Sequence, residues 1–170
     1  LFQSMEHSSF SIDEQPYASL FKIYDHEFLS VSISKGLIDI SNLSIAGDGM
    51  PVTTSARERK HRICECSKNG ITSCHCDRYF SQPDCDIGYD SSRECFYHGY
   101  HLYILVAANS ESDLPLFPLF NPASKHDSHG FLEAYFRFKA FLPDFHVRKW
   151  LLDSAHDAMS YYCLLYTSDA

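Results

Sequence analysis

Leu43-Ser-Ile-Ala-Gly-Asp-Gly-Met-Pro-Val52 decides how this chain reads. Its apolar start suits a strand, and the run breaks at two glycines that flank a single acid, Asp48. We read the segment as a strand with a carboxylate within it or at its end. By local pattern alone, an Asp between glycines is more often a turn residue. The order of elements around it raises Asp48 above that reading.

Upstream, Tyr17, Leu20, Phe21, Tyr24, Phe28 and Val31 recur at three- and four-residue steps after Pro16, which predicts one amphipathic helix or two within a helical segment, residues 1–42. Downstream, residues 53–95 are polar, rich in cysteine and without periodicity, and read as an insertion after the first strand. Phe96 to Ala108 and Leu114 to Phe120 predict a hairpin turning at Asn109 to Asp113, its second strand carrying two prolines as an edge strand does. Asn121 to Gly130 reads as a loop. Phe131, Ala134, Tyr135, Phe138, Phe141 and Leu142 then have helical spacing up to Pro143, Val147 to Leu152 forms a short strand ending in Asp153, and Asp157 to Tyr166 starts another helix.

Strand, strand, strand, helix, strand, helix is an α/β order, and it is the front half of an RNase H-like mixed sheet with flanking helices. If the fourth strand pairs parallel to the first, Asp48 and Asp153 reach the same edge. Hard divalent cations prefer oxygen ligands, so two neighbouring carboxylates could hold Mg2+ or Mn2+ for phosphoryl transfer.

Composition bounds the alternatives. The 170 residues are 45% apolar and 15% aromatic, enough for a packed core in one domain or part of one. No apolar run is long enough to span a bilayer and no signal peptide is legible, which points to the cytosol. Seven cysteines are an odd number, and six crowd between Cys64 and Cys95, so a reduced compartment with metal binding fits better than disulfides. Cys64, Cys66, Cys74 and Cys76 form two Cys-x-Cys pairs that could take Zn2+, although structural zinc sites more often place two residues between paired cysteines. Reduced cysteines in a flexible insertion are the plain alternative.

A net charge of −8 argues against a freestanding DNA-binding module, because phosphates need clustered cations. The cations that do cluster are Arg57, Arg59, Lys60 and Arg62, placed to meet a DNA backbone or simply to solvate a loop. Phe96, Tyr97, Tyr100 and Tyr103 are expected in the core. His98 and His101 read as polar positions on a half-buried strand. No internal repeat and no glycine-rich phosphate loop is present.

Several spaced motifs together resemble a family. Ile45-Ala-Gly-Asp-Gly-Met-Pro-Val52, Cys74-His-Cys-Asp-Arg-Tyr-Phe-Ser81, Phe96-Tyr-His-Gly-Tyr-His101, Pro122-Ala-Ser-Lys-His-Asp-Ser128 and Leu151-Leu-Asp-Ser-Ala-His-Asp-Ala158 are similar to bacterial insertion-sequence DDE transposases, over about Ser44 to Tyr162. The resemblance implies an RNase H-like catalytic domain over residues 43–162, with Asp-Asp-Glu metal ligation, that cuts and joins DNA at transposon ends. Asp48 would be the first catalytic carboxylate and Asp153 the second, where His156 departs from the family's usual aromatic. Asp157 competes for the second place, but a helix N-cap explains it. Asp127 would support the metal ligands from behind or cap the helix that follows, and Asp157 is placed in the same supporting role.

The third acid, a Glu on a later helix, is expected beyond Asp157, after which only Asp169 follows. The sheet is therefore expected to be incomplete at its C-terminal side and this stretch inactive by itself. Residues 163–170 read as a non-native tail. Transposon and target DNA, a second copy of the full-length chain, the bacterial cytoplasm and no membrane are the implied surroundings. The competing expectation is a zinc-binding interaction module in which the acids are incidental.

Overall fold

The computed structural model describes residues 18–157 and 159–167. Tyr17, the start of the first predicted helix, and Asp169 lie outside them. The elements run α1 (Ala18–Tyr24), a π-helical turn (Asp25–Leu29), α2 (Ser30–Ser34), β1 (Leu43–Thr53), β2 (His61–Arg62), β3 (Arg78–Tyr79), β4 (Asp86–Asp90), β5 (Cys95–Ala107), β6 (Leu114–Pro122), α3 (Asp127–Phe141), β7 (Val147–Leu151), a 3-10 turn (Ser154–His156) and α4 (Met159–Thr167). This is a mixed α/β protein. The strand order of the main sheet is β4-β5-β1-β7, with β6 also paired to β5, while β2 and β3 form a separate hairpin.

Periodicity explains most of these elements. Leu43, Ile45 and Gly47 alternate with more open positions along β1, and Tyr97, Gly99, His101, Tyr103, Leu105 and Ala107 do so along β5, because successive strand side chains face opposite ways. In α3, the buried residues Phe131, Ala134, Tyr135 and Phe138 fall at three- and four-residue steps and so share one stripe. The helix ends two residues ahead of Pro143, whose ring disfavours helical backbone before it.

The chain divides into two compact units. The first contains, among described residues, 18–48, 104–118, 131–157 and 159–167. Its core is Leu29, Leu43, Ile45, Leu105, Leu116, Phe131 and Phe138, all essentially sealed from solvent. Phe21 of α1 meets Phe117 at 5.0 Å and Phe141 at 4.7 Å, which fastens the N-terminal helix through aromatic contacts. Tyr24 donates its hydroxyl to the Pro115 carbonyl, and burial pushes its pKa up.

The second unit, residues 49–103 and 119–130, holds β4 against β5 in antiparallel register, Asp86 opposite Gly99 and Asp90 opposite Cys95. The segment Asp86–Asp90 had read as part of the irregular insertion. It is instead a strand of the main sheet, stabilised by a β5 edge that local pattern could not reveal. The loop predicted over Asn121 to Gly130 is also shorter, since β6 runs to Pro122 and α3 starts at Asp127. Phe96 corrects a further expectation. It is 74% exposed and not in the core, because strand parity turns it away from Tyr97 to the face where the Tyr89 ring meets it, at 5.1 Å. Tyr97 and Tyr103 are buried as expected.

Asp90 closes the β4–β5 turn. Its carboxylate accepts from the Ser92 hydroxyl at 2.6 Å, the Ser92 N–H at 3.0 Å and the Arg93 N–H at 3.2 Å. The Ser92 hydroxyl leads in holding its pKa below the ordinary 3.8. A depressed folded value means that the fold favours the ionised form. The stabilisation is then complete above the unfolded value and lost as pH falls through the folded one. Asp90→Asn should lower the thermal midpoint at neutral pH, and in melts recorded across the acid range its deficit should shrink below pH 3.8. A deficit independent of pH would refute this account.

Candidate functional sites: paired carboxylates and a thiol cluster

β1 and β7 run parallel, with Ser44 opposite Lys149, Ile45 opposite Trp150 and Ala46 opposite Leu151. The paired stretch ends there; carried two residues further, past the end of β7, the same register would bring Asp48 opposite Asp153. Register partners on adjacent parallel strands project to the same face, on chains about 4.8 Å apart. Both acids are exposed, Asp48 in the middle of β1 and Asp153 just past the carboxyl end of β7.

Asp153 lies just past β7 and its side chain is 57% exposed, yet it is held from behind. His156 reaches back across the 3-10 turn and places Nδ1 at 2.6 Å from Asp153 Oδ1. A carboxylate only accepts, so Nδ1 carries the proton. The His156 side chain is 1% exposed and sits beside Phe131 at 5.6 Å and Tyr161 at 6.2 Å, which fixes its ring. The aromatic cluster of the first unit thus orients one of the two acids. Sequence reading noted His156 only as a departure; the i, i+3 spacing from Asp153 was the available signal.

Asp157 as the N-cap of the last helix turns on residue 158, which lies outside the described residues. Asp157 accepts from the Tyr162 hydroxyl at 3.0 Å, an interaction that raises the Tyr162 pKa. Asp127 is not at the cap position. It is the first residue of α3, and it is His126 whose Nδ1 meets the Ser128 N–H, at 3.3 Å. Asp127 Oδ1 lies 2.8 Å from Nε2 of His101, which is buried. Gly49 presses against this pair, for a Cβ there would fall 2.1 Å from Asp127 Oδ1 and 2.3 Å from His101 Nε2.

The cations of the second unit divide. Lys60 lies 5.1 Å above the Phe80 ring and 4.0 Å from Asp86, and Arg62 donates to the Thr72 carbonyl at 3.0 Å. Both therefore have partners inside the unit. The Arg57 and Arg59 side chains are exposed. His98 stands edge-on to Phe80 at 5.2 Å, so the strand position is partly a packing one.

The cysteines of the insertion converge. Cys64 and Cys74 place their sulfurs 3.5 Å apart, Cys66 and Cys76 3.7 Å apart, and all four lie within 4.8 Å of one another. Such a group could bind a metal such as zinc. The Cys66 backbone N–H and the Cys74 thiol bring the Cys64 pKa down to about 7, whereas the thiols around Cys76 push it up to about 12. The first thiolate forms readily and the later ones are opposed by its charge. Cys85 is buried and Cys95 exposed, and neither belongs to the cluster.

Among the described residues, no helix is long and apolar enough to cross a membrane. No protein-family model, curated protein or solved structure matches the chain.

Proposed function

We propose that this chain carries two of the metal-binding carboxylates of a DNA strand-transfer enzyme of the insertion-sequence DDE transposase type, on an RNase H-like sheet. The observation that supports the reading most is the parallel pairing of β1 and β7, whose register, extended two residues past its last pair, would align Asp48 with Asp153 across more than a hundred residues of sequence. Two exposed carboxylates side by side are oxygen donors of the kind Mg2+ and Mn2+ select. When bound, such ions lower the pKa of the attacking water and stabilise the leaving oxygen of a phosphodiester.

The chain's own contribution would be placement. Asp48 and Asp153 bind from adjacent strands, and His156 holds Asp153 in one rotamer through its Nδ1 proton. In the first step, water adds to phosphorus at the transposon end and the O3′–P bond breaks, leaving a free 3′ hydroxyl. In the second, that hydroxyl oxygen attacks a target phosphodiester, and the displaced 3′ oxygen leaves with a proton. No covalent protein nucleophile is needed, in keeping with chemistry that rests on position and charge. Arg57 and Arg59 are available for DNA phosphates, and the implied surroundings are bacterial cytoplasm, DNA and a second copy of the full-length protein. The four clustered thiols play no part in these steps.

Mn2+ binding tests the reading. Followed by water-proton relaxation on zinc-supplied protein, Mn2+ affinity should fall at least about tenfold in Asp48→Asn and in Asp153→Asn, corresponding to about 1.4 kcal/mol each. His156→Ala should weaken it less. Mn2+ binding that is equal in wild type and both Asn variants, or absent from wild type, would defeat the proposal.

A further inference from the structure

We infer that Cys64, Cys66, Cys74 and Cys76 form a closed tetrathiolate site for one Zn2+ whose role is to hold together the hairpin spanning residues 61–79. This is independent of the acids and stands whether or not Asp48 and Asp153 take a metal.

Geometry comes first. A tetrahedral zinc site with Zn–S bonds of about 2.3 Å requires sulfur–sulfur edges of about 3.8 Å. The two shortest separations are 3.5 and 3.7 Å, and the widest is within 4.8 Å, so side-chain rotation alone closes the shell. In an extended strand, the cysteines of a Cys-x-Cys pair would share a face but stand about 6.6 Å apart along the chain, too far for one tetrahedral edge. Here the chain bends at residues 64–65 and turns through 66–70. Gly70 takes φ 77°, and the Ile71 N–H closes the turn on the Cys66 carbonyl at 2.9 Å. Arg62 reaches across to the Thr72 carbonyl, bracing both arms. The spacing that looks unfavourable in sequence is thus compensated by a turn built from neighbouring residues.

The second observation is what this hairpin lacks. None of residues 61–79 is buried, and Ile63, Ile71 and Tyr79 are 57%, 49% and 40% exposed. β2 and β3 contribute only two residues each. An isolated two-stranded hairpin is marginal in water, and a segment with no core of its own needs a staple such as a metal. Four thiolates in a full shell select zinc over harder ions and leave no position open for substrate, so the site is structural. Arg62, Lys68 and Arg78 outnumber Glu65 and Asp77 in the same segment by one, and Lys68 is paired with Glu65 at 2.7 Å, so the segment offsets only a small part of the negative charge of the loaded site.

Metal analysis of the purified 170-residue chain, dialysed without chelator, should find about one zinc per chain. Replacing that zinc with Co2+ should give intense thiolate-to-cobalt absorption with tetrahedral visible bands. In Cys64→Ser/Cys74→Ser both signals should vanish, while Cys95→Ser keeps them. In the zinc-loaded chain a thiol reagent should quickly modify the exposed Cys95 and Cys163, and a chelator should add the four cluster thiols. Should the double variant not fold, the cobalt spectrum and chelator-dependent thiol count of the wild type decide. A folded, zinc-free wild type without the charge-transfer band, or one whose unreduced form links these cysteines as disulfides, overturns the inference.

Discussion

Gly99→Ala is expected to destabilise the chain by about 3 kcal/mol or more, the upper end of what overpacking costs. A Cβ at this position would lie 2.1 Å from the Val52 carbonyl oxygen, 3.1 Å from the carbon that bears it and 3.2 Å from the Thr53 Cα. Each of these is backbone, so no rotamer change relieves the clash, and one of two adjoining strand segments has to move. Against a typical total of about 5–15 kcal/mol, that loss is large enough to leave the variant partly unfolded at moderate temperature. Urea denaturation checks it. A loss below about 1 kcal/mol would mean that β5 and β1 slide past each other at little cost. Gly36 provides a contrast, since no atom lies within 4 Å of its added Cβ and only its φ of 71° opposes substitution.

Phe131→Ala is expected to cost about 3–5 kcal/mol, the usual range for emptying a fully buried aromatic site. Phe131 is fully buried, with the rings of His156 and Tyr161 at 5.6 Å, Trp150 at 5.7 Å and Tyr135 at 6.0 Å. For a protein of this size the loss corresponds to a fall in the thermal midpoint of roughly 6–20 °C. Trp150 is the only tryptophan, so its fluorescence reports this cluster directly. The same substitution removes a support from His156 and hence from the orientation of Asp153. Under the proposed function, Mn2+ affinity should fall even at temperatures where the variant remains folded. Phe96→Ala, at a position 74% exposed, should change stability by no more than about 0.5 kcal/mol. Comparable losses at Phe96 and Phe131 would contradict the burial that distinguishes them.

How much of this was legible beforehand differs by element. The strand predicted at Leu43 to Val52 is Leu43–Thr53, and the helix predicted to stop at Pro143 ends at Phe141, since alternation and a proline stop are written into neighbouring residues. Asp86-Ile-Gly-Tyr-Asp90 was not legible as a strand. It has a central glycine and acids at both ends, and only pairing with β5 keeps it extended. Phe96 was misplaced because alternation tells which residues share a face and says nothing about what covers it. The role of Asp127 depended on where its helix begins: the cap position falls on His126, and Asp127 lies against His101.

Local chemistry in the sequence determined most element types, β4 excepted, the presence of one acid within a strand and another just past one, and the supply of four closely spaced thiols. The tertiary structure alone decided that β7 lies parallel beside β1, with Ala46 opposite Leu151, and that a turn folds two Cys-x-Cys pairs into one cluster. Period and turn preference act over a few bonds, so they can be read residue by residue. Pairing between distant strands repays loop closure only when whole faces bury together, and that condition belongs to the assembled chain.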